Sequence, residues 1–210
     1  RDYGREEASG DADAERSNGN AALELGRFEE AEAHFRQAVA FYEMRDDRRG
    51  MAECLRQLGG ISRRRGELVQ AQSWYQQALE LYRRDSNSVG MAEVLRQLGA
   101  VETNRGDLRR AEPLYQEALE LYRRDSNSAG MAEVLRQLGE VAKNTGGLEK
   151  AEAMYREALA LEENEDNRSG IGEILRQLGA IAKLRGNDQE SDHWLRRLHE
   201  IDRPENDVPE

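Results

Sequence analysis

"LRQLGAVETNRGDLRRAEPLYQEAL" occupies residues 95–119, and its apolar letters decide the fold. With Val94 before it, Leu95, Leu98 and Val101 form one stripe at helical spacing; Leu108, Ala111, Tyr115 and Ala118 form a second. Gly106 between them suits a helix C-terminus, Asp107 opens the next helix, and Asn87 or Ser88 can cap the first. The stretch is therefore a helical hairpin, with helices expected near 88–104 and 108–124.

The hairpin is written about five times. Gly59, Gly99, Gly139 and Gly179 are spaced by 40 residues, Gly66, Gly106, Gly146 and Gly186 keep the same step, and Gly19 and Gly26 extend both series backwards. A period of this size marks stacked supersecondary units, because one amphipathic hairpin cannot bury its stripe alone. Units are expected near 10–49, 50–89, 90–129, 130–169 and 170–202, with residues 1–9 as a polar N-terminal tail and 203–210 as a disordered one. The fifth unit replaces the Ala-Tyr-Ala pattern with Ser191, Leu195 and Leu198 and reads as a capping helix over 187–202.

Composition agrees with an all-α body rich in surface: 38% hydrophobic residues against 35% charged is lean for one compact core. A formal net charge of -11 disfavours nucleic acid and anionic membranes as partners. Neither a membrane-spanning run nor a secretory signal is apparent, and the single cysteine, Cys54, excludes an internal disulfide. A cytoplasmic location and a monomeric state are the expectations.

The residues quoted at the outset resemble the tetratricopeptide repeat, with Leu95, Leu98, Gly99, Gly106, Ala111, Tyr115 and Ala118 at that motif's signature positions. The longer period and "AEPLYQEALELY" are similar to the kinesin-light-chain type, to Pins-type adaptors and to bacterial signalling repeats. This resemblance implies a right-handed α-solenoid of about five hairpins, whose first helices line a concave groove that holds a peptide.

On each first helix the face away from the apolar stripe carries a ladder: Arg16, Arg56, Arg96, Arg136 and Arg176; Gln57, Gln97, Gln137 and Gln177; Glu53, Glu93, Glu133 and Glu173. Arg63 and Arg64, Asn104, Lys143 and Asn144, and Lys183 continue it. A Glu–Arg pair three apart on one helix contributes only about 0.2–0.5 kcal/mol, too little to hold both letters while the second helices drift. Yet Leu-Arg-Gln-Leu-Gly persists into the fifth unit, so the ladder is the expected ligand surface. Guanidinium forks suit carboxylates, and Gln amides can both donate to and accept from an extended backbone. The expected partner is an extended or partly helical peptide with acidic residues, held near micromolar affinity, about 8 kcal/mol.

The resemblance departs here. Kinesin-light-chain-like repeats usually read Leu-Asn-Asn-Leu-Gly at this stretch, and the Glu row disfavours a clamp for a terminal carboxylate. A structural or regulatory module of a larger signalling protein, acting by intramolecular packing or self-association, stays open. No catalytic, metal or cofactor residues are expected. Cys54 falls in the register of Val94, Val134 and Ile174 and reads as core, and His193 and His199 are six apart, the wrong spacing for a shared metal on one helix face. Trp74 and Pro113 read as packing and a mild bend. Arg83-Arg84-Asp85-Ser86 reads as helix-end chemistry, its cations complementing the macrodipole, ahead of a kinase site.

Overall fold

The computed structural model describes residues 3–202, and among them it is all helix and short turn. Ten helices follow in order: α1 Tyr3–Glu24, α2 Phe28–Met44, α3 Arg48–Arg64, α4 Leu68–Arg84, α5 Ser88–Asn104, α6 Leu108–Arg124, α7 Ser128–Asn144, α8 Leu148–Asn164, α9 Arg168–Leu184 and α10 Asp188–Asp202. The expected spans 88–104 and 108–124 are α5 and α6. Residues 3–9, expected as tail, instead begin α1, because Arg5-Glu6-Glu7-Ala8 are good helix formers with no proline among them. Residues 1, 2 and 203–210 lie outside the described residues.

The chain divides into two compact units, one through Leu114 and one from Tyr115. In the first, α1 pairs with α2 and α3 with α4, while α2 meets α3 and α4 meets α5. In the second, α7 pairs with α8 and α9 with α10, and α8 meets α9. α6 runs on through Pro113.

Glycine–ring contacts of two kinds recur along the repeats and set the closeness of these helices. Within a hairpin, a Cβ on Gly19, Gly59 or Gly139 would lie 2.9, 2.6 or 2.9 Å from the ring of Phe35, Tyr75 or Tyr155. Between hairpins, a Cβ on Gly50, Gly90 or Gly130 would lie 2.5, 2.6 or 2.5 Å from Tyr42, Tyr82 or Tyr122. A ring thus fills the notch that each glycine leaves, and the core letters Leu55, Leu58, Leu95, Leu98, Leu135 and Leu138 are buried around it. Burying one such side chain contributes about 1.5–3 kcal/mol. The last repeat loosens the device: a Cβ on Gly170 would meet Glu162, and one on Gly179 would lie 3.7 Å from Leu195.

The turns are short and alike. Asp47, Asn87, Asn127 and Asn167 cap α3, α5, α7 and α9, each accepting from the N–H three residues on, that of Gly50, Gly90, Gly130 or Gly170. Gly106 takes φ +80° at the α5–α6 turn, while Ser86 and Ser126 take φ +51° and +53° where second helices end. Cys54 is fully buried with Val94, Val134 and Ile174, and burial pushes its thiol up to about 12. No helix among the described residues is long and apolar enough to cross a membrane.

Candidate functional site

The candidate surface lies on the first helices, where Leu55 and Leu58 turn α3 inward and so leave Arg56 and Gln57 half-buried at its outer edge. In the first unit this brings Arg56, Gln57, Arg63, Arg96 and Gln97 together on α3 and α5, with Asn104 exposed at the end of α5. In the second it places Arg136, Gln137 and Lys143 on α7 and Arg176 and Gln177 on α9; Asn144 and Arg176 are exposed.

Most of the ladder arginines already hold carboxylates. Arg96 binds Glu93 through two N–H groups, Nη2 to Oε1 at 2.6 Å and Nε to Oε2 at 3.2 Å. Arg16 donates to Asp13 on its own helix and to Glu53 on α3. Arg136 donates to Glu133 on α7 and Glu173 on α9. Burial raises the Glu93 carboxyl, but hydrogen bonds from Arg96 and Gln97, with the Arg96 and Arg56 charges, bring it below the ordinary carboxylate value.

The glutamines are tied in as well. Gln97 donates to Glu93 Oε1 at 2.9 Å, and its own Oε1 accepts from the Tyr75 hydroxyl of the preceding hairpin at 3.5 Å, a long bond. Gln137 repeats this with Glu133 and Tyr115, both at 3.3 Å. Gln177 accepts from Lys143 Nζ at 2.7 Å. Gln57 differs, because the position 22 residues before it is Phe35, which has no hydroxyl to offer.

Three recesses meet along α3, all of them lined by Arg56. A cavity of about 730 Å³ opens at its N-terminal half, with Arg49, Glu53, Tyr82, Asp85 and Glu93 in the wall. A second, about 280 Å³, lies between α1 and α3, with Asp13, Arg16 and Glu53. The third, about 160 Å³, lies at the C-terminal end of α3 with Gln57, Arg63, Arg64, Tyr75 and Gln97. Burial raises the Tyr75 phenol against a hydrogen bond from Arg63 and the charges of Arg63 and Arg56, and raises Tyr82 against the Arg56 charge and hydrogen bond.

Sequence reasoning missed the tyrosine hydroxyls. Tyr115 stands in the apolar stripe, and only the offset of 22 from Tyr75 and Tyr115 to Gln97 and Gln137 could have marked the hydroxyls as partners. At the far end of the second unit, Trp194 sits between Arg156 and Arg197, whose guanidinium carbons stand 5.8 and 5.7 Å from its ring.

A family model described as tetratricopeptide repeat matches residues 11–84, 90–164 and 130–203. No curated protein sequence matches the chain. Among solved structures it is similar to BtubC (BKLC) from P. vanneervenii, at 20% identity and TM-score 0.82, over 98% of this chain and 94% of that one. It is similar too to aspartyl phosphate phosphatase F from Bacillus subtilis, at 14% identity and TM-score 0.84, over 98% of this chain and 54% of that one. A Rap protein complexed with competence and sporulation factor aligns at 17% identity and TM-score 0.74, over 91% of this chain and 54% of that one. At these identities the likeness is one of fold.

Proposed function

The chain belongs to the tetratricopeptide-repeat family, and from that premise we propose that it is a non-catalytic protein interaction module binding an extended or partly helical peptide along its first helices. The observation that carries this reading is the meeting of three recesses at Arg56, in a wall of guanidinium, amide and phenol groups. Such groups satisfy both the N–H and the C=O of an extended backbone, and an acidic residue in the ligand meets the cations. A Rap protein of similar fold is complexed with competence and sporulation factor, which supports a protein or peptide partner here. Exchange of Arg56 and Gln57 for Ala in the full chain tests the proposal: capture of peptides from a random library falls while helicity by circular dichroism is kept. Undiminished capture sinks it.

A second reading rests on the pairs that join successive first helices, Arg16 with Glu53 and Arg136 with Glu173. These give Arg and Glu a reason to persist without any ligand, as a register device in a structural or regulatory module. On that reading Arg136→Ala lowers the melting temperature and leaves capture unchanged.

A further inference from the structure

We infer that acid recognition resides in the recess at the C-terminal end of α3, where Arg63 and Arg64 take a carboxylate side chain of an extended peptide; this rests on the peptide-binding reading. Of the three recesses along α3, this is the one with no carboxylate in its wall. The other two hold Glu53, with Asp85 and Glu93 in the first and Asp13 in the second. A ligand carboxylate there meets groups that already repel it or that have spent their guanidinium N–H groups on protein acids.

At the C-terminal recess the cations keep their charge. Arg63 hydrogen-bonds the Tyr75 phenol, a neutral partner, and its Nε is buried with no acceptor among the described residues. A buried N–H left unbonded is costly, and an incoming carboxylate oxygen removes that cost. Arg64 lies over the Phe28 ring, its Cζ 5.8 Å from the centroid, which orients the guanidinium without neutralising it. Gln57 supplies an amide whose tyrosine counterpart is Phe35. The volume, about 160 Å³, accommodates a carboxylate with a few waters and excludes a helix.

The doubled charge belongs to this repeat alone: the positions of Arg63 and Arg64 hold Thr103-Asn104, Lys143-Asn144 and Lys183-Leu184 in the later repeats. Arg96 and Arg136 of Leu-Arg-Gln-Leu-Gly then serve the scaffold through their protein carboxylates, and a pair outside that motif reads the acid of the ligand.

Panning a random dodecapeptide library on the full chain separates these roles. Wild type selects peptides enriched in Asp and Glu. R63Q/R64Q selects at the library's own acid frequency and binds a wild-type-selected acidic peptide about tenfold more weakly. R63K/R64K retains the enrichment, since the charge remains, and R96Q retains it because Arg96 is committed to Glu93. Circular dichroism and melting confirm that each variant folds. Retained enrichment in R63Q/R64Q, or its loss in R96Q alone, overturns the inference. Wild-type capture of peptides with no acid enrichment overturns the inference and leaves the peptide-binding function standing. Failure of wild type to select any peptide removes both.

Discussion

Arg96 grips Glu93 from one turn away, Nη2 to Oε1 at 2.6 Å and Nε to Oε2 at 3.2 Å, while Gln97 reaches the same Oε1 at 2.9 Å. Three donors converge on one carboxylate, which is why its titration sits below the ordinary range despite burial. A carboxyl whose folded value is depressed contributes stability above its unfolded pKa and loses it as pH falls through the folded one. Wild type therefore loses stability as pH drops below about 4.5, the model-peptide value. Glu93→Gln is less stable at pH 7, and its stability falls less steeply below that pH. Urea midpoints at pH 7, 5, 4 and 3 check this; parallel curves for the two proteins contradict it.

Two glycines on neighbouring first helices respond to alanine with opposite signs. At Gly90 a Cβ meets the Tyr82 ring at 2.6 Å, so Gly90→Ala overpacks the contact between hairpins and costs about 1–3 kcal/mol. At Gly60 the nearest atom is the Tyr75 hydroxyl at 3.7 Å, so Gly60→Ala only removes backbone freedom and gains about 0.5–1 kcal/mol. Denaturant midpoints of the two variants decide it, and equal shifts in the same direction contradict the packing account.

Ser86, at φ +51°, holds a conformation that costs a non-glycine residue about 1–2 kcal/mol. Glycine removes that cost and gives back part of it through its freer unfolded chain. Ser86→Gly is expected to raise stability by about 0.5–1 kcal/mol by the same denaturant assay. A loss of stability shows that the serine hydroxyl secures the turn.

Cys54 is a core residue whose thiol stands at about 12. At pH 8 a thiol reagent modifies it only when the α3 region opens, so the labelling rate follows unfolding and rises with urea. Rapid labelling of the native chain contradicts its burial.

Much of the fold was legible because it is local and periodic. Gly99 and Gly106 fix where α5 packs and ends, Asn87 where it begins, and the 40-residue step carries those marks through the chain. The partners of the ladder were less legible, since contacts between stacked helices have no helical period. Arg16 finds Glu53 and Arg136 finds Glu173 at an offset of 37, and Tyr75 finds Gln97 at 22. Weighing only the three-residue pair within a helix understates what holds Arg and Gln in place. Phe35 stands where the later repeats hold Tyr75 and Tyr115, and that difference sets Gln57 apart from Gln97 and Gln137.

Gln57 is accordingly the residue on which the account is most exposed, for it lines two of the recesses and lacks the tyrosine partner of its counterparts. Calorimetric titration of a library-selected peptide into wild type and Gln57→Ala is the direct measurement. The account predicts a dissociation constant about tenfold higher for the variant, with melting temperatures within about 3 °C of each other. An unchanged dissociation constant contradicts it.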